Sequence, residues 1–339
     1  MEPSCFFIPS GFGRCICPLK SRYESSNSLR RRLAFAPGRI ELVAGRGSSP
    51  ITFTIFDFDE DQYDRLFSSK LDLLLELNRN ERVTWNGPHR RKPLRDVLIV
   101  PRPEQPLRIW LGSGGSPESV RRAVQLGLPL FLGILGGSPT HWAQYGKACR
   151  SAWEQFHGAK EGADIAVGVH GFIGKDGRQA KATYLSYEGR MFQAGGEESG
   201  RSRPISPERA RDLEPGGMVF AGEPDEVADR VLQLREVLGH SRQVLQMDAG
   251  GMPQATFLKS IELLGTKVLP QVRKVIGDTE RYNKTRSFPM RAMTSNPIQV
   301  QWEQAHQPHQ RAQLTKPQRR LLRSSNRRGH WSMHARSEE

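Results

Sequence analysis

The run Leu107-Arg-Ile-Trp-Leu-Gly-Ser-Gly-Gly-Ser-Pro-Glu-Ser-Val-Arg-Arg-Ala123 changes character in its middle. Its first residues make a short apolar strand ending at Gly112, and the glycines that follow permit a tight turn. Ser116 is then a natural helix N-cap, and Pro117 takes the first helical position, where a missing N–H does no harm. A strand that passes through so short a turn into a helix is a β/α unit. Such a turn also suits an anion. The free N–H groups of a first helical turn point outward with partial positive charge, Gly114 and Gly115 lack side chains that would hold an anion off, and Ser116 and Ser119 add two hydroxyls. One charge at a helix start gains only about 0.3–2 kcal/mol, so several donors must act together. The run also reads as a capped helix start that holds no ligand. A dinucleotide fingerprint is disfavoured, because Pro117 stands where its third glycine belongs.

The same alternation extends outward. Short apolar runs at Ile40–Ala44, Leu107–Leu111, Leu128–Ile134, Ile165–Val169 and Gln243–Met247 read as strands, several apolar on successive residues as strands buried on both faces must be. Between them, apolar residues recur at helical spacing. One stripe is Tyr63, Leu66, Phe67, Leu71, Leu74 and Leu75, a second is Trp142, Tyr145, Cys149, Ala152 and Phe156, and a third is Val227, Val231, Leu234 and Leu238. A last helix places Phe257, Ile261, Leu264 and Val268 on one face before Pro270 interrupts it. Two segments, 84–106 and 171–217, read as long loops.

The formal charge of +14 on 339 residues lies at the ends. Residues 1–37 hold six Lys/Arg against two acids and residues 279–339 twelve against four, which leaves about +2 for the centre. The centre is therefore a nearly neutral folded unit, expected over residues 38–276, between an unpatterned basic segment 1–37 and a basic tail 277–339 expected to be disordered. Arg319, Arg320, Arg327 and Arg328 in that tail lack the aromatic interleaving of a nucleic-acid site, so no specific nucleic acid is expected. The longest apolar stretch, 126–135, is about half of what a bilayer needs, and no secretory pattern opens the chain. Four cysteines, three of them in the first 17 residues, read as free thiols of a reducing, cytoplasmic compartment with no metal.

A second informative run is Gly38-Arg-Ile-Glu-Leu-Val-Ala-Gly-Arg-Gly-Ser48, where an apolar strand delivers Arg46 between two glycines at the end from which the loops of a parallel barrel leave. The planar fork of arginine suits phosphate. Alone, such an arginine is also an ordinary surface turn residue. By contrast Gly222-Glu-Pro-Asp-Glu226 opens a helix with the same proline placement but with Glu223, Asp225 and Glu226 around its cap, whose charge repels phosphate. His170 closes a strand on the expected active-site side, and Asp248 precedes Gly250 and Gly251. Both are candidate catalytic groups, although a histidine bonded to a nearby carbonyl is the plainer reading.

Taken together, Gly38–Ser48, Tyr63–Leu75, Val83–Gly87, Trp110–Leu130, Gly216–Gly222 and Gln246-Met-Asp-Ala-Gly-Gly-Met-Pro253 resemble the bacterial luciferase-like flavin monooxygenases over residues 38–276. The resemblance implies a β/α barrel that uses reduced flavin mononucleotide to pass one atom of O2 to a small organic substrate, with a flavin reductase as electron source, or, in one branch, a reductase that uses the deazaflavin F420. It implies phosphate contacts from Arg46 and Gly47 after the fourth barrel strand and from Gly114, Gly115, Ser116 and Ser119 after the fifth. Gly45 replaces a bulky or thiol residue found in luciferases proper, so light emission is not implied. On this register the five strands are the fourth to eighth of a barrel. The fold expected is thus α/β, a partial (β/α)8 TIM barrel lacking its first three units, with unpaired edges at the fourth and eighth strands that invite a homo-oligomer or another sheet partner. Catalysis and simple binding of an anion or of a partner chain both remain open.

Overall fold

The computed structural model describes residues 5–7, 40–45, 59–89, 92–100, 102–103, 105–159, 161–199 and 207–277. Arg46, Gly47 and the basic tail lie outside these residues.

Five parallel strands form the frame: β2 (Ile40–Ala44), β5 (Arg108–Ser113), β6 (Leu130–Ile134), β7 (Ile165–Ile173) and β9 (Arg242–Gln246). They pair in chain order, as consecutive staves of a barrel do. The register sets Gly112 beside Phe131, Phe131 beside Ala166 and Ala166 beside Arg242. One step further along, Gly133 stands beside Gly168 and Gly168 beside Val244. This is the partial β/α barrel expected from the sequence. A further short strand, β8 (Val219–Gly222), pairs with the last residues of β7, from His170 to Ile173.

Helices follow the strands on one face: α1 (Tyr63–Arg79), α2 (Pro117–Leu126), α3 (Pro139–His157), α6 (Pro224–Leu238), α7 (Gln254–Leu263) and α8 (Leu269–Ile276). The main core lies between them and the strands. Leu111, Leu130, Leu132, Ile165, Val167 and Val169 meet Leu71, Val120, Cys149, Val227 and Leu234 there. Because side chains alternate along a strand, the opposite, inner face carries Val43, Trp110, Phe131, Ala166 and Val244. Near the start of the strands that face is closed by paired charge. Trp110 Nε1 donates to Glu41 at 2.7 Å, Arg242 pairs with Glu41 at 3.0 Å, and Arg108, itself paired with Asp164, stacks 4.5 Å over the Trp110 ring.

Four sequence expectations need correction. The segment 84–106 is not simply a loop, since β3 (Arg82–Trp85) and β4 (Leu94–Leu98) make an antiparallel hairpin in it. Its exposed face is polar, tied by Arg82 to Asp96 at 2.6 Å, and its apolar face is short, so the strand signal is weak. The segment 171–217 holds the end of β7 and two helices, α4 (Gly177–Ser199) and α5 (Pro207–Asp212). The edge of β2 is not unpaired, because β1 (Cys5–Phe7), inside the segment read as unpatterned, lies parallel to it. Finally, Pro270 does not stop the last helix. A π-helical turn over Leu264–Val268 frees the geometry that a proline disturbs, and Pro270 then sits in the first turn of α8, where its missing N–H is tolerated.

Candidate functional site

The loops that leave the C-terminal ends of parallel strands are where such a sheet places its chemistry. Here that end is built largely from glycine. A Cβ on Gly112 would lie 3.2 Å from the Gly45 Cα, so the ends of β2 and β5 approach backbone to backbone. A Cβ on Gly114 would meet nothing within 4 Å, and one on Gly133 would meet only the Ser113 carbonyl at 3.8 Å. Among the described residues, Gly114 and Gly133 thus form a shelf without side chains, bordered by the start of α2 and, over the adjacent Gly168, by the Phe131 ring.

That helix starts as its sequence requires. Ser116 Oγ accepts from the Ser119 amide at 3.3 Å and meets Ser119 Oγ at 2.8 Å, and Pro117 opens the helix. Gly115 has φ +97, which glycine alone adopts readily, and a Cβ there would come within 3.0 Å of the Trp142 ring. Its amide donates to Ser113 Oγ at 3.0 Å. Gly114, Gly115, Ser116 and Ser119 are thus brought together, with the Ser116 and Glu118 amides left as donors that have no acceptor among the described residues.

The next turn repeats the tetrapeptide. Gly136-Gly137-Ser138-Pro139 opens α3, Gly137 has φ +93, and Ser138 Oγ accepts from the His141 amide at 3.3 Å. Trp142 lies between the two turns, its Nε1 donating to the Gly136 carbonyl at 2.8 Å while its six-membered ring abuts Gly115. At this second turn a carboxylate is present: the Gly137 amide donates to Asp212 Oδ1 at 3.2 Å.

Asp212 belongs to a buried polar group that reaches the inner face. Arg209 Nη1 donates to Asp212 at 3.0 Å and to the Leu135 carbonyl, and Arg209 Nε donates to Glu188 Oε2 at 2.8 Å. The Glu188 side chain is fully buried, and its Oε1 accepts from Tyr184 Oη at 2.8 Å and from Arg209 Nη2. Tyr184 Oη in turn lies 2.7 Å from His170 Nδ1. Burial pushes the Glu188 carboxyl up, but the bonds from Arg209, His170 and Tyr184 and the charge of Arg209 outweigh it and hold the group at about 2. Burial, reinforced by the neighbouring Glu188 charge, keeps the Tyr184 phenol protonated well above its ordinary range. His170 therefore does not end its strand. β7 runs on to Ile173, His170 is 5 % exposed, and its bond goes to a tyrosine rather than to a carbonyl.

Asp248 stands apart from this group. It is exposed, two residues beyond Gln246, the β9 partner of His170, and it has no hydrogen bond or ion pair among the described residues. Cys149 is buried in the core with its thiol pushed up to about 11 by burial, and no metal-binding cluster of His, Cys, Asp or Glu occurs among the described residues. Nor is any described helix long and apolar enough to cross a membrane.

Sequence reading missed Tyr184, Glu188, Arg209 and Asp212 because they fall in the stretch read as a loop. One signal bore on two of them, since Tyr184 and Glu188 are spaced to share a helix face.

Known proteins agree with this architecture. The chain is 26 % identical over 289 residues, 80 % of each chain, to the uncharacterized protein y4vJ of Sinorhizobium fredii. Its fold is similar to that of the monooxygenase RslO1 from Streptomyces bottropensis (22 % identity, 80 % of this chain and 77 % of that one, TM-score 0.58). It is also similar to the oxygenating constituent of 3,6-diketocamphane monooxygenase from Pseudomonas putida in complex with FMN (18 %, 76 % and 77 %, 0.52). An F420-dependent secondary alcohol dehydrogenase shares the fold as well (12 %, 77 % and 76 %, 0.56). The family model for luciferase-like monooxygenase matches residues 34–246, more than half of the chain, and the protein belongs to that family of enzymes.

Proposed function

We propose that the protein is a flavin-dependent monooxygenase that holds the phosphate of FMN between Arg46-Gly47 and the Gly114–Ser119 turn and oxidises a small organic substrate with O2. The observation that carries this reading is internal. At Gly136–Ser138, a turn of the same sequence and glycine conformation already has an oxyanion, the Asp212 carboxylate, on its glycine amide. At Gly114–Ser116, among the described residues, the glycine amide is engaged only by the neutral Ser113 hydroxyl, and the Ser116 and Glu118 amides have no acceptor, which leaves them for an outside anion. The open shelf over Gly114 and Gly133 suits a planar group next to that anion.

Arg46 would offer a bidentate contact to the phosphate, and Ser116 and Ser119 would add hydroxyl donors. Reduced flavin supplies the electrons for O2 activation, delivered by a separate flavin reductase in a cytoplasmic setting. His170, on the inner face, is the group we assign to handle a substrate proton, with the exposed Asp248 as a second candidate.

Titration of the protein with FMN, followed by quenching of flavin fluorescence, tests the reading. Arg46→Ala should weaken binding by about one to two orders of magnitude, the loss of a charge-assisted contact. Added reduced FMN should drive O2 uptake. Binding of F420 without O2 uptake would instead make the protein a deazaflavin-dependent reductase on the same frame. Failure of both cofactors to bind would leave a barrel that holds some other anion or a partner chain.

A further inference from the structure

Among the described residues, His170 Nδ1 has two polar partners: Tyr184 Oη at 2.7 Å and Glu188 Oε1 at 3.4 Å. The phenol has one proton, and it is donated to Glu188. Glu188 is ionised at any pH well above about 2 and carries no proton to give. Toward Nδ1, both neighbours are therefore acceptors, and the contact is made only if Nδ1 bears the hydrogen. Neutral His170 then has its lone pair on Nε2, which has no hydrogen-bond partner among the described residues. Side-chain alternation along β7 sets His170 on the inner face, in line with Gly168 and Phe172 and next to the glycine shelf.

The remaining members of the group sustain this arrangement. Arg209, whose guanidinium is strengthened by Glu188 more than burial weakens it, keeps the carboxylate charged, and Asp212 holds Arg209 from its other end. A fully buried carboxylate is expensive to desolvate, and apolar residues would fill the same space more simply. Its presence beside an imidazole is accounted for by control of that imidazole.

We propose that Glu188, acting through Tyr184 and kept ionised by Arg209, is a positioning residue that fixes His170 with Nδ1 protonated and Nε2 free to accept a proton from a molecule bound at the glycine shelf. In that step the bond from the donor atom to hydrogen breaks, an Nε2–H bond forms, the electron pair stays on the donor, and the Glu188 carboxylate compensates the imidazolium. The substrates that fit carry an acidic O–H, N–H or activated C–H hydrogen. The proposal rests on the monooxygenase reading only in taking the shelf as the reaction site.

Two-bond 1H–15N spectra of the full chain with labelled histidine, the His170 signals identified by their loss in His170→Gln, test the proposal without any substrate. The expected wild-type pattern is a pyrrole-type Nδ1 and a pyridine-type Nε2. Tyr184→Phe leaves only the 3.4 Å contact to Glu188 and should give a mixture of the two tautomers with FMN affinity within about threefold of wild type. Should that variant fail to fold, Glu188→Gln, which keeps the shape and removes the charge, should give the same mixture. A wild-type pattern with the proton on Nε2, or an unchanged pattern in a folded variant, overturns the proposal. The expected pattern in a protein that binds neither FMN nor F420 supports the proposal for the imidazole and defeats the flavin reading alone.

Discussion

Two turns of this molecule share one tetrapeptide and diverge in what they hold. Gly114-Gly115-Ser116-Pro117 and Gly136-Gly137-Ser138-Pro139 place their second glycines at φ +97 and +93, cap their helices with the serine hydroxyl and begin them with the proline. One tryptophan, Trp142, touches both. Yet the Gly115 amide donates to the Ser113 hydroxyl, whereas the Gly137 amide donates to the Asp212 carboxylate. Four residues fix the backbone of a helix start. What it binds is decided by neighbours, in one case two residues before the glycine and in the other on a helix 75 residues away. The second turn acts as a worked case of anion capture for the first.

The largest expected effect comes from removing what supports the carboxylate at the second turn. Arg209→Ala takes the counter-ion from fully buried Glu188 and the orienting bond from Asp212. Breaking a buried ion pair on one side should lower stability by about 3–5 kcal/mol, read as a shift of the urea midpoint at unchanged slope. A shift under about 1 kcal/mol would mean that the second turn holds Asp212 unaided, and the two turns would then be more alike than the contacts imply.

Acid probes the same support more gently. The folded-state value of Glu188, about 2, lies below the ordinary value of 4.5. The unfolded chain therefore binds this proton first. The stabilisation is fully present above about pH 4.5 and is lost as the pH falls toward 2, so urea midpoints should decline through that window. In Glu188→Gln this part of the decline should disappear while the rest of the acid limb remains. An identical acid limb in the variant would remove the charge from the account.

Backbone substitution separates the turns directly. Gly115→Ala and Gly137→Ala both force a side chain into positive φ, at about 1–3 kcal/mol each. Gly115→Ala should be the worse, since its Cβ meets two Trp142 ring carbons at 3.0 Å, against a single indole nitrogen at 3.3 Å for Gly137. Gly114→Ala offers the converse, because its Cβ has nothing within 4 Å. That variant should unfold within about 0.5 kcal/mol of wild type, as surface changes do, yet weaken FMN binding if the shelf is used. Full FMN affinity would show the shelf to be idle.

The comparison also explains what was legible in the sequence. Strands such as Leu130–Ile134, apolar on successive residues, and helices such as Tyr63–Arg79, apolar at three- and four-residue spacing, announce themselves because each buries a regular face. The turn at Ser116 was equally plain, since its cap, proline and glycines lie within a few residues. The His170 group was not. Its members are spread from 170 to 212, joined only by folding, and Tyr184 and Glu188 sit on a helix whose glycines and polar residues mask its period. β3 and β4 stayed hidden for a related reason: β4 is almost wholly exposed, and the alternation of Val83 and Trp85 with polar residues in β3 spans only four positions. Local chemistry can be read from neighbouring letters, whereas a buried polar network is a property of contacts.

The smallest effect is the most discriminating. Ser116→Ala and Ser138→Ala each remove one N-cap bond, to Ser119 N in the first and His141 N in the second, and each should lower stability by about 1 kcal/mol. Each also loses one hydroxyl contact, to Ser119 Oγ or to Thr140 Oγ1, so thermal unfolding should separate them by no more than about 1 kcal/mol. FMN titration should tell them apart. Ser116 contributes a hydroxyl and an amide to the turn that has no anion of its own among the described residues, while Ser138 serves a turn where Asp212 is already bound. A several-fold loss of affinity confined to Ser116→Ala follows from that asymmetry. Equal loss in both variants would trace the effect to weakened helices, and the resemblance of the two turns would then be one of capping alone.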